Sequence, residues 1–354
     1  MTGNMVKRCL VAGLLVVGTC RMLAQDVGLA YTTEWQAGGR GGAQWVNLLR
    51  ADGSLTLAGQ WRLDVAAISV SRTSNERLAD DWQTFSNIEE ENLPLALVVL
   101  GLGWNIGKSE WFFGVRNVNE DYFTSACTSL FTNSSCGIFP TLSTNWPIAN
   151  YPMASVGIDY KCRLGHWLLE TSLYNGTGYN RFGGSESAFR FCPRTDGVFS
   201  ITSINYQNHG SDYNMGFALH SGVPAADEAG SEGQASEAEA DRLTTAVWGY
   251  AEQRLSAHLH ALLQYSVATV RSGCRQYAGA GLVMEMVKSR GGIFFDYAQF
   301  SFGSEVACEV AWQFPFLKQG YIQPALHLIS NSQCKAVVGL LRLGYRVDWW
   351  AVCG

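Results

Sequence analysis

Apolar and polar residues trade places every second position along most of this chain, and the stretches that do so end at clusters of Gly, Asn, Asp, Ser or Pro. Period two places one set of side chains on each face of a strand, so the pattern predicts half-buried β-strands rather than helices. Sixteen such stretches occur. They are Val27–Trp35, Ala43–Arg50, Leu55–Ala67, Leu95–Ile106, Trp111–Val118, Met153–Cys162, His166–Asn175 and Val198–Gln207. The series continues with Tyr213–Ser221, Leu243–Arg254, Ala257–Ala268, Tyr277–Val287, Gly292–Phe300, Ser304–Phe314, Gly320–Ile329 and Ala336–Val347. The third is the clearest. Leu55, Leu57, Trp61, Leu63, Val65 and Ala67 share one face, and Thr56, Gln60, Arg62 and Asp64 share the other. Asp52-Gly53 ahead of it reads as the hairpin turn that starts it.

The connections alternate in length. Short ones include Ala51–Ser54, Gly107–Glu110, Arg163–Gly165 and Asn208–Asp212, whereas Ser71–Pro94, Asn119–Pro152, Gly176–Gly197 and Gly222–Arg242 are long. A two-sheet sandwich has no reason to show that parity. A barrel crossing a membrane does, because short turns gather at one end and long loops at the other. The expected fold is therefore all-β, a transmembrane antiparallel β-barrel of about 16 strands with long external loops.

One connection is out of proportion. Asn119–Pro152 carries Phe123, Leu130, Phe131, Ile138, Phe139, Leu142, Trp146 and Ile148 among many Asn and Ser residues. A segment that apolar needs a surface to cover, and ordering so long a loop costs entropy that a passive connector avoids. The barrel interior offers the surface, so this third external loop is expected to fold into the pore and narrow it.

Composition agrees with that picture. Charged residues make up 16% of the 354-residue chain, below the usual quarter, while Gly numbers 38 and Pro only 8. Trp35, Trp45, Trp104, Trp111, Trp167, Tyr206, Tyr213, Tyr321 and Tyr345 fall near strand ends, where an interfacial girdle belongs. The first 24 residues read as a secretory leader, with Lys7 and Arg8 ahead of an apolar run too short to span a bilayer. Residues 25–354 are then the barrel domain. No apolar run of the roughly 20 residues a membrane helix needs follows, which leaves closure into a barrel as the way to satisfy the backbone in lipid. Residues Gly222–Arg242 hold six acids and a single Arg, a solvated acidic loop.

Candidate chemistry is sparse. No G-x-S-x-G elbow and no C-x-x-C pair exists, so neither a serine hydrolase nor a structural zinc site is expected, nor any cofactor. His258 and His260 share a strand face, but two imidazoles facing water need no metal. Glu305 and Glu309 also share a face, yet four residues of strand hold them about 13 Å apart. Glycosidase carboxylates sit roughly 5–9.5 Å apart, so an enzyme is not the expectation. Cys127 and Cys136 lie in the long loop, either bridged or as free thiols. An acidic chain with no basic run is not built for nucleic acid.

The wall facing inwards mixes both signs, with Arg62, Asp64, Arg116, Asp159, Lys161, Glu170, Glu252, Arg254, Glu305, Glu309, Arg342 and Arg346. That mixture argues against a strongly charge-selective pore. The residues expected to line the constriction and contact solute are Arg116, Asn117, Asn119, Glu120, Asp121, Asn133, Trp146, Tyr151, Glu305, Glu309 and Arg342. They join hydrogen-bonding groups to flat apolar rings, the combination a sugar requires.

Several blocks resemble the carbohydrate-selective outer-membrane porins of the OprB type. They are Phe131–Pro140, Asn145-Trp-Pro with Tyr151-Pro152, Trp248–Leu255, Gly291–Tyr297 with Glu305 and Glu309, Tyr321–Leu328, and Leu340-Leu-Arg342. The resemblance implies passive diffusion of small neutral sugars through a sixteen-stranded barrel in a bacterial outer membrane, with outer-membrane lipid around it and room for a homo-oligomer. A non-transporting surface barrel, adhesin or structural anchor, is the alternative. One departure stands out: such barrels end on an aromatic residue, whereas this chain continues Asp348-Trp-Trp-Ala-Val-Cys-Gly354.

Overall fold

A strand with one face in lipid must hand every backbone N–H and C=O to a neighbouring strand, because hydrocarbon offers no substitute partner. Sixteen strands do so here. In a computed structural model describing residues 26–39, 41–57, 59–222 and 243–350, each strand pairs antiparallel with its sequence neighbours, and the last returns to the first. The strands are β1 (Asp26–Gly38), β2 (Ala43–Thr56), β3 (Trp61–Arg72), β4 (Leu93–Ile106), β5 (Ser109–Arg116), β6 (Ser155–Leu164), β7 (Trp167–Asn175) and β8 (Val198–Asn208). The second half comprises β9 (Ser211–Ser221), β10 (Leu243–Arg254), β11 (Leu259–Ala268), β12 (Cys274–Met286), β13 (Ser289–Phe300), β14 (Gly303–Phe316), β15 (Gly320–Ser330) and β16 (Lys335–Trp350). Closure runs from Asp26 opposite Trp350 to Gly38 opposite Val338, so no edge is left exposed.

Alternation decides what each face meets. Trp35, Trp45, Leu49, Val65, Leu102, Phe113, Ile158, Leu173, Met215, Val247, Leu263, Phe295, Val310 and Leu326 are exposed on the outer face. Glu34, Gln36, Gln44, Asp159, Glu170, Glu252, Glu309 and Arg342, one residue out of phase, point inwards. Aromatic pairs line the turn end from β3 to β8: Trp61 stacks on Trp104 at 5.2 Å, Trp111 meets Tyr160 at 4.6 Å, and Trp167 meets Tyr206 at 4.6 Å. On the inner face, aromatic rings lie flat over glycines of the next strand. A Cβ on Gly157 would sit 2.2 Å from the Tyr174 ring, and one on Gly216 would sit 2.4 Å from Trp248. Rings covering glycines in this way restore the packing that glycine omits.

Val310 tests the assignment of faces. It is half exposed midway along β14, opposite Ile293 and Leu326. A charge there would face hydrocarbon, so Val310→Arg is expected to destabilise the barrel by about 2–4 kcal/mol. Guanidinium unfolding of parent and variant in one lipid measures this; coincident midpoints would place Val310 elsewhere.

One expectation about the strands fails. Asp52-Gly53 is not a turn: both residues lie within β2, paired with Gly28 and Val27 on one side and with Ala66 and Val65 on the other. The chain reverses instead at residues 57–60, where Leu57 N–H donates to the Trp61 carbonyl (2.8 Å) and Gly59 takes a positive φ of 76°. The local preference of Asp-Gly is outweighed by ladder bonds on both flanks and by the pairing of the Asp52 carboxylate with Arg346 (2.9 Å). The faces of β3 are nonetheless as expected, because alternation runs straight through the misplaced turn.

The parity of loop lengths also has a limit. It holds from β3 to β10, but at the same end residues 269–273, 301–302 and 331–334 are short connections. The leader, most of the acidic loop and residues 351–354 lie outside the described residues. Cys127 and Cys136 are separate buried thiols, not a disulfide, and burial raises the pKa of both. Among the described residues, no helix is long and apolar enough to cross a membrane.

Candidate functional site

The connection from Asn117 to Ala154 folds into the barrel, and its first contact is with itself. The Asn117 side chain accepts from the Asn119 amide (2.8 Å) and donates to the Met153 carbonyl (2.6 Å), which draws the two ends of the loop together. From there the loop crosses the lumen and lies against the wall from β7 to β15. Tyr122 hydrogen-bonds Ser172 of β7 (2.7 Å), and Phe123 packs on Trp248 of β10 at 4.6 Å. Phe139 stacks on Tyr277 of β12 at 5.4 Å, and Trp146 donates its indole N–H to Thr244 of β10 (2.9 Å). These rings, with Leu142, Ile148, Phe199 and Ile201, form the largest apolar cluster among the described residues, and it fills one side of the barrel.

Polar wall residues hold the loop backbone in register. Glu309 accepts from the amides of Thr132 (2.8 Å) and Asn133 (3.0 Å) and from the Thr132 hydroxyl (3.0 Å). Glu252 takes the Cys127 amide (2.9 Å), and Asp296 takes the Asn133 side chain (2.9 Å). Asn145 reproduces a β-ladder with one side chain, donating to the Cys274 carbonyl and accepting from its amide, both at 2.7 Å.

A second loop also enters, which the sequence did not announce. Residues 73–92 dock through the amides of Trp82 and Gln83 on Glu305 (2.8 and 3.0 Å) and through the Ser86 hydroxyl on Glu34 (2.7 Å). They brace the first loop through the Asn87 amide on the Thr132 carbonyl (2.7 Å) and the Tyr151 hydroxyl on the Ile88 carbonyl (3.2 Å).

Asp81 of this second loop is buried and accepts from the Phe85 amide (2.7 Å). Burial, opposed by that hydrogen bond, pushes its carboxyl from 3.8 up to about 7. A pKa raised in the folded loop means that docking is strongest below 3.8 and weakens as pH rises through about 7. Exchange protection of the Phe85 amide, corrected for its intrinsic rate, is therefore expected to fall across that window and to stay flat in Asp81→Asn. Protection that rises with pH would contradict this account.

What remains open lies along β16, β1, β2, β3, β4 and β5. At the loop end lies a cavity of about 520 Å3 whose lining includes Thr32, Leu48, Asn87, Glu89, Glu90, Asn119, Ser143, Tyr151 and Arg342. Towards the turn end lies another of about 400 Å3, lined by Arg50, Asp52, Arg62, Asp64, Arg116, Glu120 and Arg346. The division falls between neighbours on the chain. Leu48 and Asn119 face the first cavity, and Arg50 and Glu120 the second. There Arg50 meets Glu120 in a bidentate pair at 2.7 and 2.9 Å, joining β2 to the inserted loop within the lumen. Other charges in the lumen are paired too: Arg116 and Lys161 with Asp121, Arg62 with Asp64 (2.7 Å), Arg72 with Glu89 (3.2 Å), and Arg342 with Glu34.

The eleven expected site residues separate into two groups. Asn119, Tyr151 and Arg342 face the loop-end cavity, and Arg116 and Glu120 the turn-end one. Asn117, Asp121, Asn133, Trp146, Glu305 and Glu309 are buried beneath or within the inserted loops, Glu305 and Glu309 only 1% and 2% exposed. Glu305 and Glu309 hold loop amides, while Asp121, Asn133 and Trp146 are held by wall side chains, and inward-facing alternation alone does not separate the buried from the cavity-facing environment. The sequence reading omitted Arg50, Asn87, Glu89 and Glu90. Arg50 was hidden by the misplaced Asp52-Gly53 turn: had β2 been extended through Asp52, alternation would have set both side chains inwards.

No family model and no curated protein matches the sequence. Solved structures do match in fold. The high-pH structure of Pseudomonas putida OprB aligns with 92% of this chain and 94% of its own at 15% identity and a TM-score of 0.75. The low-pH structure of the same protein aligns over 98% of both chains at 13% identity and 0.60. A mutant of Rh. blastica porin aligns with 91% of this chain and 99% of its own at 6% identity and 0.59. By fold, the chain is a sixteen-stranded porin-type barrel of the architecture seen in Pseudomonas putida OprB.

Proposed function

We propose that this protein is a passive diffusion channel for small neutral carbohydrates in a bacterial outer membrane. The observation that carries the reading is the divided lumen. A cavity lined by Asn, Ser and Thr groups beside the Tyr151 ring, with Glu90 and with Glu89 and Arg342, each in an ion pair of its own, lies above a second one where Arg50, Arg62 and Arg116 are each paired with a carboxylate. Paired charges present little net field to an ion, yet retain lone pairs and N–H groups for a polyhydroxylated solute. Tyr151 and Trp82 offer flat apolar faces to a sugar ring in the same cavity. The OprB fold supports the same reading, as do the sequence blocks that resemble carbohydrate-selective porins.

The test is single-channel recording of the purified protein in planar bilayers, with glucose and maltose added, beside liposome uptake of the same sugars. Step conductances that sugars interrupt, with uptake little altered by salt, are expected. Absence of steps would favour the non-transporting barrel. Steep salt dependence, given screening within about 10 Å at 0.1 M, would instead indicate a channel for charged solutes.

A further inference from the structure

The connection between β7 and β8, residues 176–197, leaves the inserted loop at Gly178, whose N–H donates to the Pro147 carbonyl (2.7 Å), and then packs through Ala188 against the outer face of β4 and β5. Val115 belongs to the outward face, in phase with Phe113 and Ile158, which are exposed, and a register shift in the β3–β4 ladder, where Val99 faces Ala66 but Leu97 faces Ala67, brings Leu97 onto the same face. Yet Leu97 is only 6% exposed and Val115 only 1%, because Ala154 and Ala188 cover them. Ala188 comes from this connection. A bridge between Ala154 and Tyr179, with backbone bonds of 3.0 and 2.8 Å, fastens the segment beside β6, and a second bridge from Arg181 to Ser187 closes its tip. Its base is locked by Asp196, which holds Arg190 (2.8 Å) and Asn175 (2.9 Å).

The tip has a distinctive outer surface. Phe182, Phe189 and Phe191 are exposed, the last at 62%, although they sit on a segment packed against the wall. Elsewhere at this end the wall supplies its own rings, Trp35 and Trp45 on β1 and β2. On β4 to β6 the outward residues near the loops are Leu95, Leu97, Val115 and Val156, none of them aromatic. The flap therefore supplies the missing sector of the girdle and continues the lipid-facing belt upwards. Cations accompany the rings. Arg194 is exposed with no ion pair among the described residues, and Arg181 pairs only with the exposed Glu186 (2.8 Å). A guanidinium beside an interfacial ring suits a phosphate at the headgroup level, since its planar fork binds phosphate oxygens in pairs.

We propose that residues 176–197 form a lipid-binding flap. Phe182, Phe189 and Phe191 enter the acyl boundary of the leaflet at the loop end, and Arg181 and Arg194 hold the phosphate of an anionic lipid headgroup. The proposal rests on the membrane-channel reading above, and its test separates the two. Phe189→Trp is placed in phosphatidylcholine nanodiscs with or without phosphatidic acid, and the emission it adds to that of the parent is followed. Quenching of this added emission by lipids brominated high on the acyl chain, with protection from aqueous iodide, is expected. Quenching by iodide alone would overturn the proposal, and so would shielding from both that follows self-association. In a second measurement, native mass spectrometry of the parent is expected to retain phosphatidic acid severalfold better than the Arg181→Ser/Arg194→Ser variant, with equal conductance in the two. Equal retention would remove the headgroup role. A conducting protein whose flap is quenched only by iodide would leave the channel standing and the flap refuted; lipid quenching without conductance would show the reverse.

Discussion

Replacing residues 128–149 with a short Gly-Ser linker is expected to leave a folded barrel whose single-channel conductance is severalfold higher and whose interruption by sugars is lost. The segment removed contains Leu130, Phe131, Phe139, Leu142, Trp146 and Ile148, all essentially without solvent contact. At about 1.5–3 kcal/mol for each buried side chain, they hold the loop to the wall with a gross term on the order of 10 kcal/mol, opposed by the entropy of ordering it. None of that energy closes the barrel. Closure comes from sixteen strand pairings, including the thirteen residue pairs between β1 and β16, and these do not pass through the loop. Deletion exposes Phe199, Trp248, Tyr277 and Phe294 to lumen water, which lowers stability without opening the ladder. Recordings in planar bilayers, beside heat-modified mobility as a check on folding, decide the matter. A shortened protein that conducts and discriminates like its parent would show that the inserted loop does not set the constriction.

Glu309→Gln is expected to release the same loop without removing it. Alternation alone treats Glu309 as a pore-facing group whose neutralisation is mild. The structure gives it three donors to hold, two of them backbone amides, with His327 bonded to the same Thr132 hydroxyl (2.9 Å). A hydrogen bond to a charged group is worth about 1.5–3 kcal/mol, and the introduced amide would turn its own N–H towards one of those donors. Loss of about 3 kcal/mol corresponds to a fall on the order of a hundredfold in exchange protection at Thr132 and Asn133. The barrel is expected to keep its unfolding midpoint while the current becomes noisy. Unchanged protection and quiet current would mean that Glu309 does not hold the loop.

Arg50 and Glu309 show where sequence reading stops. Both are charged, both face inwards by alternation, and neither carries a local mark of its surroundings. Arg50 ends in an ion pair within the lumen because residue 120, seventy positions later, comes back to meet it. Glu309 ends in a dry contact because residues 132 and 133 arrive there from the far side of the barrel. The number of strands, their order, the outward row through Leu63 and Val65, and the apolar character of the long loop were legible. Each follows from neighbours within a few residues. The entry of residues 73–92 was not, since that segment looks like any polar loop until Glu305 and Glu34 offer it acceptors.

Period-two alternation by itself determined the strands and their apolar outer face, because side-chain direction along a strand is a local property of the backbone, and the alternating lengths of the connections pointed to closure into a barrel. The same local rule kept the faces of β3 correct when the turn before it was misplaced. Tertiary structure alone decided which inward charges line the open cavities, which clamp a loop, which loops go in, and which one lies against the outer wall. Those outcomes depend on desolvation and on pairing between residues far apart in the chain. A carboxylate carries the same formula whether water or a backbone amide completes it, and only the folded chain supplies one or the other.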